Sequence, residues 1–158
     1  MRRQLGFRLP RGEERPGPLL RQVNQAWQRA QRAALADVDL TPAQFALLQA
    51  ASALHAAGER VTQRRLAAEV HADAMMTSQV VRALEDKGCL SREADPDDAR
   101  ALLVAPTRAG RKTLAHAIRR ADAADAAFFA PLGNDAPRLV ELLRRLAPAD
   151  EERTAKRD

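Results

Sequence analysis

From Leu19 to Ala36, apolar side chains recur at three- and four-residue steps (Leu19, Leu20, Val23, Ala26, Trp27, Ala30, Ala34), the spacing of one helical face. The next run, LTPAQFALLQAASALHAAG, predicts a second helix with legible ends. Thr41 is its N-cap, Pro42 its first residue, Gln44 completes a capping box and Gly58 stops it. ERVTQRRLAAEV then gives a short extended piece at Val61, and Thr62 caps a brief helix burying Leu66, Ala67 and Val70. A fourth helix is predicted from Asp73 to Lys87, ended by Gly88. Leu90 to Ala94 and Arg100 to Ala105 read as two strands around an acidic turn. Thr107 caps a long alanine-rich helix reaching about Phe128, and Pro131 and Gly133 break it. A last helix is expected to bury Leu139, Leu142, Leu143 and Leu146.

Outside this core, residues 1–18 read as a loose arm, because Pro10, Gly12, Pro16, Gly17 and Pro18 break regular structure. Residues 148–158 read as a charged tail, leaving a single domain over about 19–147. The order of elements is helix, helix, short helix, helix, hairpin, helix, helix. Two helices joined by a tight turn and followed by a β-hairpin describe a mainly α winged helix-turn-helix, with the hairpin as its wing.

Composition narrows the possibilities further. The chain has 158 residues, no tyrosine and 3% aromatics, which favours helix over sheet. No apolar run is long enough to span a bilayer, and the proline-broken N-terminus is no secretory signal. A single cysteine, Cys89, excludes an internal disulfide and fits a reducing cytoplasm. The net charge of +5 suggests an anionic partner. Its distribution qualifies that: residues 1–40 carry +4, residues 41–106 carry −2 and residues 107–158 carry +3. The putting of charge at both ends leaves the helix-turn-helix slightly acidic, so net charge alone does not establish DNA binding.

On a helical wheel of residues 73–87, Met76, Val80, Ala83 and Leu84 share an arc within about 60° of Val80, which is the expected buried side. Ser78 and Arg82 point away from it, with Met75 beside them. Gln79 and Val81 lie on opposite shoulders, and Thr77 leans toward the core boundary. Such an outward face suits a major groove: arginine can bond guanine, glutamine can bond adenine, and an apolar side chain can touch the thymine methyl. An ordinary solvated amphipathic face has the same composition, and the wheel does not choose between them.

Other residues read as structural. Cys89, between Gly88 and Leu90, is expected to be a small packing residue. His55, His71 and His116 have no partner at metal-ligand spacing. The turn DPDDAR lacks the glycine and distal glutamate of a calcium loop. No cofactor motif or nucleophile–base constellation is present, so an enzyme is the least favoured class.

LTPAQFALLQA, TQRRLAAEV–HADAMMTSQVVRALEDKGCLSRE and DPDDARALLVAPTRAGR together resemble the MarR family of transcriptional regulators over Leu19 to Leu146. The resemblance implies a homodimer whose N- and C-terminal helices, about 19–36 and 107–147, form the dimerisation body. It makes Thr62 to Val70 the first helix of the motif, Asp73 to Lys87 the recognition helix and Leu90 to Ala105 the wing. In relatives the wing carries an aspartate, any residue, then an arginine. Asp98–Ala99–Arg100 matches both ends, with Ala99 where a first arginine is commoner. By that resemblance Asp98 steadies the wing and Arg100 reaches a minor groove. Small aromatic or phenolic ligands bind such proteins between dimerisation helices and DNA-binding lobe, which makes Trp27 a pocket candidate.

The leading expectation is therefore a cytoplasmic homodimer that binds a pseudo-palindromic site on double-stranded DNA and is released as a repressor by a small ligand. Met75, Thr77, Ser78, Gln79 and Arg82 would meet the major groove, and Arg64 and Arg65 would contact phosphate. A non-specific DNA-binding protein and a helical protein–protein module are the rivals.

Overall fold

Pro16 and Pro18, which break a helix from within, begin one here. The computed structural model describes residues 15–96 and 102–147. In it α1 runs Pro16–Ala36. A proline in the first turn lacks only an N–H that would have no intrahelical acceptor. Residues 16–18 are thus helical rather than part of the expected arm. Residues 1–14 of the arm and the charged tail lie outside the described residues.

Helix α2, Pro42–Ala56, carries the expected capping box: Gln44 N donates to Thr41 Oγ1 at 3.2 Å and Thr41 N to Gln44 Oε1 at 3.0 Å. Helix α3, Gln63–Glu69, is capped by Thr62, and α4, Ala74–Asp86, by Asp73, whose carboxylate accepts from Met76 N at 2.8 Å. Gly58 and Gly88 follow α2 and α4 at φ of 75° and 68°, left-handed values that favour glycine.

Strands β1, Leu90–Ala94, and β2, Leu102–Pro106, pair antiparallel, from Leu90 opposite Pro106 to Ala94 opposite Leu102. The second strand ends one residue later than expected, and the expected start at Arg100 lies outside the described residues. Thr62 bridges to Leu103, and Val104 N donates to Val61 O at 2.7 Å, so the extended piece at Val61 is fastened to the wing.

Helix α5, Arg108–Phe129, starts at Thr107, whose hydroxyl donates to Gly88 O at 2.6 Å and accepts from Gly110 N at 2.9 Å. A β-carbon on Gly110 would lie 1.9 Å from the carbonyl oxygen of Cys89. That backbone approach explains a glycine inside the first turn of a helix. The core joins Leu35, Leu48, Leu66, Val81, Leu84, Leu90 and Val104. Cys89 is buried among them, as expected for a packing residue.

The chain divides after Asp125 into two compact units. The second contains a 3₁₀ stretch, Ala130–Asp135, and α6, Ala136–Leu146. Here the burial expected of Leu139, Leu142, Leu143 and Leu146 is corrected: no residue of α6 is buried, and Leu146 is 76% exposed. The helix is amphipathic, but a single chain leaves its apolar face open.

Candidate nucleic-acid interface and adjoining cavity

The face that α4 turns inward decides which residues it can offer to DNA. Thr77, Val81 and Leu84 are its buried positions, while Val80 is half-buried and Met76 exposed. The buried arc is turned by about one residue from the one centred on Val80. Thr77, expected to face the groove, is 1% exposed, and its hydroxyl donates to Asp73 O at 2.9 Å. A threonine satisfied within its own helix can sit in a core, because no polar group is left wanting water. Its assignment to base reading is corrected on that ground. Met75 is 74% exposed, Gln79 and Arg82 are exposed, and Ser78 is half-buried. Arg82 has no ion pair among the described residues.

Three fasteners hold α4. Asp73 caps its N-terminal end. Past its C-terminal end, Lys87 Nζ pairs with Asp39 Oδ2 at 3.1 Å, donates to Asp39 O, and reaches Gln44 Oε1 at 3.3 Å. Glu85 pairs with Arg92 of β1, and that hydrogen bond holds the Arg92 guanidinium pKa above its ordinary value.

The two arginines of α3 differ. Arg64 is exposed and forms no ion pair among the described residues. Arg65 Nη1 donates to Glu69 Oε2 at 2.7 Å and Nε to Glu59 Oε2 at 2.9 Å. Those bonds, Glu69 first and Glu59 second, raise its pKa further. Arg65 therefore has local carboxylates to leave before it could meet a phosphate.

Asp98 and Arg100, the wing residues carried over by resemblance, lie outside the described residues. Asp95, from the same acidic stretch, is buried and paired with Arg60. Its charge is directed into the protein.

Trp27 lines a cavity of about 600 Å³ formed by α1, the start of α2, and α5. Its Nε1 donates to Asp125 Oδ1 at 2.7 Å, and Gln31 Nε2 donates to the same oxygen at 2.6 Å. Phe45, Ile118 and Asp122 complete the parts of the lining that matter most. Sequence reasoning found Trp27 but neither partner. Gln31 stands one turn along the same face, a usable signal; Asp125 is 98 residues away and gave none.

A family model described as the MarR family matches residues 40–102, which covers α2, the helix-turn-helix and the wing up to the start of β2. The HTH-type transcriptional regulator YdcH of Bacillus subtilis (strain 168) is 44% identical over 115 residues, spanning 73% of this chain and 78% of the relative. The crystal structure of a probable transcriptional regulator from Pseudomonas aeruginosa is 32% identical, with a TM-score of 0.71 over 84% of this chain and 96% of that one. BpsR of Bordetella bronchiseptica, whose DNA binding is regulated by 6-hydroxynicotinic acid, is 27% identical, with a TM-score of 0.74 over 87% and 96%.

Proposed function

Because the chain belongs to the MarR family of transcriptional regulators, we propose that it binds a pseudo-palindromic operator as a homodimer and is released from it by a small ligand. It is a DNA-binding transcriptional regulator; its mode of action is our inference. The observation that carries the reading is the division of α4. Thr77, Val81 and Leu84 anchor the helix, while Met75, Gln79 and Arg82 are presented outward. Entry by the N-terminal half of α4 would bring Met75, Ser78, Gln79 and Arg82 to base edges. Glu85 and Asp86, at the other end, would stay clear of phosphates.

Arg64 supports this as a phosphate contact that positions the helix, better placed than Arg65. The wing roles of Asp98 and Arg100 are carried from the family pattern, with Arg100 probing a narrow, A·T-rich minor groove beside each half-site. The two copies would set their recognition helices about one DNA turn, roughly 34–36 Å, apart. Repression in the cytoplasm follows as the simplest mode for a regulator displaced by its ligand. The cavity at Trp27, beside the helix-turn-helix, is the effector site in this reading. A ligand acts there only through a difference in affinity between the DNA-bound and free geometries. The family is one of transcriptional regulators, and no catalytic step enters the proposal.

Selection of bound sequences from a random DNA pool tests it. A palindromic consensus is expected, and Arg82→Ala should relax one position of each half-site at a cost of about 1–3 kcal/mol. Binding without any preferred sequence, with the same steep salt dependence on every fragment, would instead identify a non-specific DNA-binding protein.

A further inference from the structure

The cavity at Trp27 carries its negative charge on one wall. Asp122 and Asp125 both line it from α5, one helical turn apart, where like charges repel. Asp125 is held in place: Trp27 and Gln31 converge on its Oδ1 at 2.7 and 2.6 Å. Gln31 is itself only 7% exposed, and its Nε2 also reaches Ala121 O at 3.4 Å. A buried amide needs such partners to offset its lost hydration. These donors are neutral, so they fix the carboxylate without cancelling its charge. Neither Asp122 nor Asp125 forms an ion pair among the described residues. Among the described residues the one cation in the lining is Arg32, which is exposed, as Asp122 is. The opposite character comes from Trp27 and Phe45, both half-buried, and from Ile118. Aromatic faces attract organic cations by the same electrostatics that the carboxylates supply.

We propose that this cavity takes an aromatic organic cation, an amine or amidine on a flat apolar body. Its charged head would lie against Asp125 and Asp122, and its ring among Trp27, Phe45 and Ile118. The proposal rests on the effector reading of the cavity and adds the charge of the ligand. An aromatic carboxylate would meet two like charges in a partly buried site, where charge interactions exceed their strength in water. Among the described lining residues only Arg32 would offset them, one charge against the two of Asp122 and the half-buried Asp125.

Trp27 is the only tryptophan, so its emission reports occupancy of the cavity. Phenethylamine and 3-phenylpropanoate share a ring and a short chain and differ in the sign of the head group. The full chain should show saturable quenching or a shift of Trp27 emission with phenethylamine, about tenfold tighter or more than with 3-phenylpropanoate. Asp125→Asn keeps an acceptor for Trp27 and Gln31 and removes the charge; it should weaken phenethylamine about tenfold. Asp122→Asn, on an exposed position, gives the same direction of change where the first variant fails to fold. Equal or tighter binding of the carboxylate overturns the proposal, as does no response to the amine at millimolar concentration or undiminished amine binding by both variants. Operator affinity measured with phenethylamine present separates the two readings. Binding without release of DNA refutes the effector role and leaves the charge assignment standing. Release by the carboxylate alone keeps the effector role and refutes the charge.

Discussion

Thr77 and Met75 exchange the roles their side chains suggest, the hydroxyl buried and the thioether in solvent. Hydrophobicity alone centred the inner face of α4 on Val80. The structure centres it near Val81, because Thr77 satisfies its hydroxyl on Asp73 O and needs no water. Thr77→Val is therefore expected to cost about 1 kcal/mol of stability and to leave the selected operator sequence unchanged. A shifted base preference in the selection experiment would restore Thr77 to the groove. Arg64 and Arg65 divide in the same way. Arg64→Ala should lower the slope of log affinity against log salt by about one unit. Arg65→Ala should leave that slope nearly intact and reduce stability by about 0.2–1 kcal/mol, the range for partly exposed pairs. Equal slope changes in the two variants would contradict the difference in their ion pairing. None of this was legible from residue type, since two adjacent arginines look alike until their neighbours fold around them.

Element ends were the most readable feature of the chain, because a cap is a bargain among residues three or four apart. Thr41 with Gln44, Thr62 and Thr107 cap the helices they were expected to cap, Gly58 and Gly88 take the left-handed turns expected of them, and Asp73, expected as the first residue of α4, is its cap instead. The start of α1 misled most, since prolines that end a helix also begin one. Side-chain partners far apart in sequence were not readable: Asp125 with Trp27 and Gln31, or Lys87 with the turn at Asp39. Two predictions belong at this scale. Asp73→Ala should cost about 1 kcal/mol in urea unfolding, and Asp73→Ser should recover most of it by offering another capping oxygen. Equal losses in both variants would mean that the carboxylate matters for something other than the cap. Gly110→Ala should cost about 1–3 kcal/mol or more, as overpacking against a backbone carbonyl that has little freedom to yield. Wild-type stability in that variant would show that α5 can slide away from Cys89.

At the scale of the molecule, α6 has an apolar side with no cover in one chain: Val140, Leu142, Leu143 and Leu146 are all exposed. An eleven-residue helix is marginal in water without tertiary packing, and a second copy is the partner we propose for it. Leu143→Glu should then shift the protein toward monomer in sedimentation. The wild type's Tm should rise with concentration, as expected of a stability shared between subunits. A variant that remains as associated as the wild type would place the dimer contact elsewhere. The link between Val61 and Val104 has a different kind of consequence. A lone two-stranded hairpin is marginally stable in water, yet this one takes a third strand-like partner from the segment that leads into α3. The base of the wing and the start of the helix-turn-helix therefore open together or not at all. In native-state hydrogen exchange the Val104 amide should be among the slowest in the chain, released only by the global opening that frees Leu66 and Leu84.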